Sequence, residues 1–131
     1  MTRRWLQSAD VDISDSGALT VGTGKTYKRA RINASAAGDN VIVAAVPGKA
    51  ICVVAINVTA KLAVDVTICS GTGNAKPLSA VKSLGDTGGW VDAGSADPAA
   101  YRYGTDAGES LNIYTSAASK GVGVEIVYYE E

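Results

Sequence analysis

Residues 38–70 have the sequence GDNVIVAAVPGKAICVVAINVTAKLAVDVTICS, which contains the strongest fold signal of the chain. It contains three apolar runs that follow one another with only two short polar breaks. Val, Ile and Thr are frequent in these runs, and β-branched residues favour strands. Pro47 and Gly48 lie between the first two runs and are typical of a turn. The stretch therefore predicts consecutive strands in an all-β core.

The last two runs of this stretch predict different surroundings. Residues 62–69 alternate between large apolar and smaller or polar side chains, which is the pattern of a strand with one buried face. Residues 51–58 are apolar on both faces, with Ile51, Val53 and Ala55 on one face and Cys52, Val54, Ile56 and Val58 on the other. We expect this strand to be covered on both sides, either by loops of its own domain or by another subunit.

Further strand patterns lie on both sides of this stretch. Residues 26–32 form a charged run that predicts an edge or solvent-facing strand. Residues 85–98, rich in Gly and containing Trp90, predict a long loop. About eight strands result, with no helical periodicity, so we predict a single β-sandwich or jelly-roll-like domain over residues 17–131.

Residues 1–16 differ from the rest of the chain, because they are polar and have only scattered apolar positions. We predict an extended N-terminal arm that cannot bury enough apolar area to fold alone. Trp5 and Leu6 would anchor such an arm on a partner surface. The alternative is that the arm packs on its own domain.

Composition limits the possible partners. The chain has 131 residues, the length of one ordinary domain, and its 12 Lys and Arg against 13 Asp and Glu leave a net charge of −1. No overall positive field attracts nucleic acid or an anionic membrane, so we expect neither as a partner. Cys52 and Cys69 lie inside predicted strands, and we expect buried free thiols rather than a disulfide.

The sequence gives no sign of export or membrane insertion. Residues 1–10 lack the apolar core of a signal peptide. The longest apolar run, residues 50–56, has seven residues, whereas a spanning helix needs about 20. We expect synthesis in the cytoplasm and no membrane segment.

Two short motifs resemble ligand-binding loops but are incomplete. Gly24-Lys25-Thr26 lacks the earlier glycine of a phosphate-binding loop, because Leu19 stands at that position, and a strand pattern follows where a helix is required. Residues 12–17 match the first half of a calcium loop, but Thr23 stands where a bidentate Glu is needed. We therefore predict no cofactor and no metal site.

Catalytic residues are not evident either. The chain has no histidine, which is the commonest acid–base group. The Ser-x-x-Lys spacing that can give a serine nucleophile a lysine base occurs once, at Ser79 and Lys82, but the Ser-Asp-Asn and Lys-Thr-Gly motifs that accompany it in such enzymes do not occur. Asp86, Asp92 and Asp97 share one predicted loop, where carboxylates are more often solvated than catalytic. We predict that the chain is not an enzyme.

Three aromatic residues suggest one alternative binding site. Trp90, Tyr101 and Tyr103 lie close together in the sequence and are candidates for a stacking platform for a sugar. The same residues would also suit the cover of a sheet end or a subunit interface. Both interpretations stay open at this point.

The chain resembles the small β-sandwich virion proteins of tailed bacteriophages. The resemblance covers about residues 38–131 and consists of turn and core segments: GDNVIVAAVPGK (38–49), ICV (51–53), TICSG (67–71), AGESLNI (107–113) and VYYE (127–130). Proteins of this group include head decoration (cement) proteins and modules of head or tail fibres. No catalytic residue is implied.

The resemblance implies a decoration protein on the capsid exterior, bound to the major capsid protein, commonly as a homotrimer. For such a protein we expect Ile51, Val53 and Ala55 to form the subunit interface. The arm residues Arg3, Arg4, Trp5 and Leu6 would reach over the shell and hold neighbouring capsomers. A fibre module that binds host glycans through Trp90, Tyr101 and Tyr103 is the alternative.

Overall fold

A computed structural model describes residues 25–92 and 101–131, together with the backbone of two short strands that pair antiparallel, β1 (Asp12–Ile13) and β2 (Leu19–Thr20). The other strands are β3 (Lys28–Ala34), β4 (Gly38–Val43), β5 (Ile51–Thr59), β6 (Val64–Ser70), β7 (Lys82–Leu84), β8 (Gly89–Asp92), β9 (Tyr103–Gly104), β10 (Leu111–Thr115) and β11 (Val122–Glu130). The described part contains no helix. The all-β prediction is confirmed.

Strands β3 to β11 form two antiparallel sheets. One sheet has the order β4-β10-β6-β7, and the other has the order β3-β11-β5-β8, with β9 also paired to β5. A single cluster of buried side chains joins the sheets, with Val66 and Ile113 from the first and Val58 and Val124 from the second. The domain is therefore a β-sandwich, as predicted, while the jelly-roll detail stays a prediction.

Strand β6 follows its predicted alternation only on one face. Val64, Val66 and Ile68 are buried in the core and Asp65 is exposed. Cys69, predicted to be on the open face, is fully buried as well. The cause is the segment after the strand: Pro77 bridges to Cys69, and the Cys69 thiol lies 3.0 Å from the Asn74 side-chain oxygen. Residues 71–77 thus cover the outer face of this sheet at that point.

Strand β5 contains a β-bulge that the sequence pattern does not reveal. Ala55 pairs with Val127 and Val53 pairs with Tyr128, so Val54 has no partner on β11. A bulge adds one residue to one strand and shifts the alternation of every residue that follows. The predicted division of the strand into two faces is therefore wrong: the core face holds Ile51, Val53, Ile56 and Val58, and the outer face holds Cys52, Val54, Ala55 and Asn57.

Two further outcomes concern the ends of the second sheet. β3 lies at its edge, as the charged sequence predicted. At the other side, residues 85–98 are not a loop throughout, because Gly89–Asp92 form β8 and pair with β5.

Both cysteines are buried free thiols, as predicted. The predicted boundary between arm and domain, at residue 17, falls between β1 and β2.

Candidate binding surface

The outer face of the five-stranded sheet is the candidate binding surface. In β11 the core side chains Val124 and Ile126 alternate with Glu125 and Val127, which point away from the sandwich. The pairing partners continue these rows: Arg31 lies opposite Glu125, and both Arg29 and Ala55 lie opposite Val127. Strand alternation thus places basic, acidic and apolar side chains on one surface.

A concave region of about 530 Å³ crosses this face. We call it the outer groove and define it by six of its lining residues: Arg29, Arg31, Ala55, Val91, Glu125 and Val127. Its volume is in the range of small-molecule sites. Val91 on β8 is 67% exposed, although it is a large apolar residue. The groove thus offers an apolar floor that is open to solvent.

Charged groups border this floor. Arg29 and Arg31 are exposed on the edge strand β3 and, within the described residues, form none of the ion pairs of the domain. Asp92, on the opposite border, pairs with Arg102 over 3.1 Å. A second concave region of about 520 Å³ adjoins the groove and shares Arg31, Asn57 and Glu125 with it. The face is therefore apolar in the middle and polar around it, which is the arrangement of many protein interfaces.

A small cluster closes one end of this face. Cys52, Val54 and Tyr129 are buried there on the outer side of the sheet, and we call them the outer cluster. The rings of Tyr27 and Tyr101 approach the Tyr129 ring edge-on, at centroid distances of 5.9 and 6.4 Å. These contacts exclude water from part of the outer face, so this end is already occupied within the chain.

Lys25 and Gly104 complete the cover of the outer cluster. The Lys25 ammonium lies 4.8 Å from the centre of the Tyr129 ring and 3.0 Å from the Glu131 carboxylate. Gly104 allows the close approach of Tyr101, because a Cβ at that position would lie 2.8 Å from Cε2 of the ring.

Burial raises the pKa of Tyr129 to about 12. Burial, with the Glu131 charge, also raises the pKa of the Cys52 thiol, which is therefore protonated and weakly nucleophilic at neutral pH.

Among the described residues, a dense group of polar contacts lies on the other sheet. Lys76 donates to Asp106 and to Glu109, each over 2.8 Å, and the Ser70 hydroxyl donates to Glu109 over 2.7 Å. We call these four residues the polar lock. The Lys76 and Ser70 hydrogen bonds hold the pKa of Glu109 below its ordinary value, and the two carboxylates raise the pKa of Lys76. Ser70 is 2% exposed, so its hydroxyl is not accessible to a substrate, and the hydrogen bonds of the lock tie loops together.

The structure corrects the predicted subunit interface. Ile51 and Val53 have 0% exposure, because they pack inside the sandwich of their own chain. Their surface is not accessible to a second subunit. Ala55 alone among the three predicted residues has accessible surface, and it lines the outer groove because the bulge at Val54 turns it outward.

The predicted aromatic platform is not assembled either. Trp90 and Tyr103 are partly buried and pack against the main core. Tyr101 is 52% exposed and lies on the opposite side of the sheet, against Tyr129. The three rings therefore do not share a surface, and Trp90 has Lys82 over its ring at 5.3 Å. The predicted arm residues Arg3, Arg4, Trp5 and Leu6 lie outside the described residues.

Neither a metal site nor a membrane segment is found in residues 25–92 and 101–131. Within that part, no three side chains of Cys, Asp or Glu come together as a metal would require. No helix of the described chain has the length and hydropathy needed to span a bilayer. Comparisons with protein-family models, curated proteins and solved structures gave no match to this chain.

Sequence reasoning missed Arg29, Arg31 and Glu125 as candidate binding residues. Their signal was present, because Arg29 and Arg31 alternate with Ala30 and Ile32 in a strand pattern. Their common face with Val127 and Val91 depends on the pairing of β3 with β11 and of β5 with β8, which a single sequence does not specify.

Proposed function

We propose that this chain is a head decoration protein of a tailed bacteriophage, which binds the major capsid protein lattice on the outside of the particle and stabilises it. The observation that supports this proposal most directly is the outer groove. Its apolar floor is solvent-exposed in the single chain, with Val91 at 67% exposure and Arg29 and Arg31 beside it. Exposed apolar surface with a polar border is typical of a site that a partner protein covers.

The physical task of a decoration protein is adhesion, and the domain has suitable properties for it. The groove lies on the paired strands β3, β11 and β5 of a sandwich with one continuous core. Because these strands are already ordered, binding costs little conformational entropy. Apolar contact contributes about 25 cal/mol per Å² of buried area. The charged border of the groove adds orientation to the contact.

We further propose that the protein acts as a homotrimer and that its N-terminal arm makes a second contact. A homotrimer would place three grooves on one assembly, and linked weak contacts gain affinity through effective concentration. The arm residues Arg3 to Leu6 would supply a second contact to neighbouring capsomers. On this proposal the protein is made in the host cytoplasm and acts in the virion.

The experiment that tests the proposal is direct localisation. Purified particles would be labelled with an antibody to this chain and imaged, and the same particles without the gene would serve as the control. The proposal expects regularly spaced label on the head surface. Label confined to the tail or its fibres would favour the fibre alternative, and absence from purified particles would reject a virion role.

A further inference from the structure

The five-stranded sheet has an open edge at β3. Among the described strands β3 pairs only with β11, so one side of its backbone has donors and acceptors without a strand partner. β1 likewise pairs only with β2. Each strand therefore has an edge to which another strand can be added.

The side chains of β3 define what such an added strand must look like. Arg29 and Arg31 lie on the outer face, and strand geometry spaces residues i and i+2 by about 6.8 Å. Ala30 and Ile32 lie on the core face, where they pack against the main core but are only partly buried. A complementary strand carries acidic groups two residues apart on one face and apolar groups two residues apart on the other.

The chain contains one such segment, Asp10-Val11-Asp12-Ile13. Asp10 and Asp12 are the only two acidic residues in the sequence that stand two positions apart. In an extended strand they share one face, and Val11 and Ile13 share the other. The backbone of Asp12–Ile13 is that of a strand, β1.

We propose that residues 10–13 of a second copy of this chain add as a strand to the open edge of β3. Asp10 and Asp12 then lie beside Arg29 and Arg31, while Val11 and Ile13 cover Ala30 and Ile32. We assign a second copy as the occupant because, among the strands that the structure describes, β1 is paired with β2 and β3 is paired with β11.

The contact joins two different surfaces, so it repeats from copy to copy and closes into a ring when the rotation allows. The inference rests on the proposed oligomer and names the contact that forms it. Its test uses the purified full chain without any capsid, so a failure here is distinguishable from a failure of the capsid proposal.

Charge exchange tests the contact. An edge variant carries Arg29→Asp and Arg31→Asp, an arm variant carries Asp10→Arg and Asp12→Arg, and a combined variant carries all four. Sedimentation equilibrium at micromolar concentration measures association. We expect the wild type to be oligomeric. The edge variant and the arm variant should each associate about tenfold more weakly, because like charges then face each other. The combined variant should associate like the wild type.

Controls separate this contact from a general effect of charge. A variant with Lys49→Asp and Lys61→Asp changes the charge by the same amount at exposed positions outside β3, and it is expected to associate like the wild type. Circular dichroism checks that each variant keeps its sheet. A monomeric wild type, or a combined variant that associates no better than the edge variant, would overturn the proposal.

A covalent trap distinguishes a second copy from the same chain. With Asp12→Cys and Arg31→Cys together, mild oxidation is expected to give cross-linked dimers and larger species on a non-reducing denaturing gel. Each single cysteine variant serves as the control. A cross-link found only within monomers would show that the arm pairs with its own β3, contrary to the proposal.

Discussion

Val53 and Ile56 both point into the core of the sandwich, although they stand three positions apart on one strand. A regular strand would place them on opposite faces. The unpaired Val54 between them accounts for the change, because it adds one residue opposite the Val127–Tyr128 step of β11. The bulge therefore decides which part of β5 belongs to the core and which part, beginning with Ala55, lines the outer groove.

The bulge predicts opposite results for the same substitution at two nearby positions. Val53→Asp would bury an unpaired charge, so we expect it to lower the free energy of unfolding by about 3–5 kcal/mol or to prevent folding. Ala55→Asp places the charge at the groove and should cost at most about 1 kcal/mol. Urea denaturation of both variants measures the difference. Equal losses at the two positions would contradict the assigned faces.

The polar lock predicts a loss of stability in acid. Because the pKa of Glu109 is held below its ordinary value of 4.5, its ionised form stabilises the folded state above that pH, and the contribution is lost as the pH falls below it. Glu109→Gln should reduce this acid-dependent part of the unfolding free energy. Denaturation curves at several pH values between neutrality and the acid range provide the measurement. Wild type and variant with the same acid dependence would show that the lock does not stabilise the fold.

Ser70 tests the same lock without a change in charge. Its buried hydroxyl donates to Glu109 and accepts the Asp106 backbone N–H over 3.0 Å. Ser70→Ala leaves that N–H without its partner, so we expect a loss of about 1–3 kcal/mol in the free energy of unfolding. Ser116→Ala, at an exposed residue whose hydroxyl accepts the Asp65 N–H, is a matched control with a smaller expected loss. If Ser116→Ala costs more, the lock is not the stronger tie.

The outer cluster predicts a loss of stability in alkali. Burial raises the pKa of Tyr129 from 10.0 to about 12, so the neutral phenol stabilises the folded state below pH 10 and the contribution is lost as the pH rises towards 12. Tyr129→Phe should flatten the stability profile in that range. Denaturation at a series of alkaline pH values, with the tyrosinate absorbance of both proteins, measures it. A tyrosinate titration near pH 10 for all six tyrosines would contradict the burial of Tyr129.

We expect substitution of Trp90 to lower the stability of the domain rather than to abolish glycan binding. Its ring packs against the main core and under Lys82, so Trp90→Ala should cost about 2 kcal/mol of unfolding free energy. Tyr101→Ala removes a more exposed ring and serves as the comparison. A glycan array with the folded variants tests the alternative. Glycan binding by the wild type that is lost in both variants, with stability unchanged, would favour the fibre module.

Much of the sandwich could be predicted from alternation and turn residues. The all-β class, the buried face of β6 and the edge position of β3 were each evident from short patterns around Val64 and Arg31. The β8 strand was missed because Gly89 and a short apolar pair are also typical of a loop. Its strand conformation depends on hydrogen bonds to β5, which the local sequence does not record.

The predicted interface failed for a comparable reason. Ile51, Val53 and Ala55 share a face only if β5 is regular, and nothing in an unbroken run of Val, Ile and Ala indicates the extra residue at Val54. The aromatic platform failed because nearness in sequence does not place side chains on one face. Tyr101 and Tyr103 lie on opposite sides of the sheet.

Particles that lack the protein test whether the outer groove is the adhesive surface of a capsid decoration protein. The quantity measured is the amount of added protein that binds to their heads. Wild type, Val91→Glu and Val81→Glu would be added to such particles, and bound protein would be measured after sedimentation of the heads. Val81 is 61% exposed but lies away from the groove, so it matches Val91 in residue type and exposure.

We expect Val81→Glu to bind like the wild type and Val91→Glu to bind at least about tenfold more weakly, because a charge would then face an apolar contact. Equal occupancy by the two variants, or no binding of the wild type to the heads, would contradict the claim.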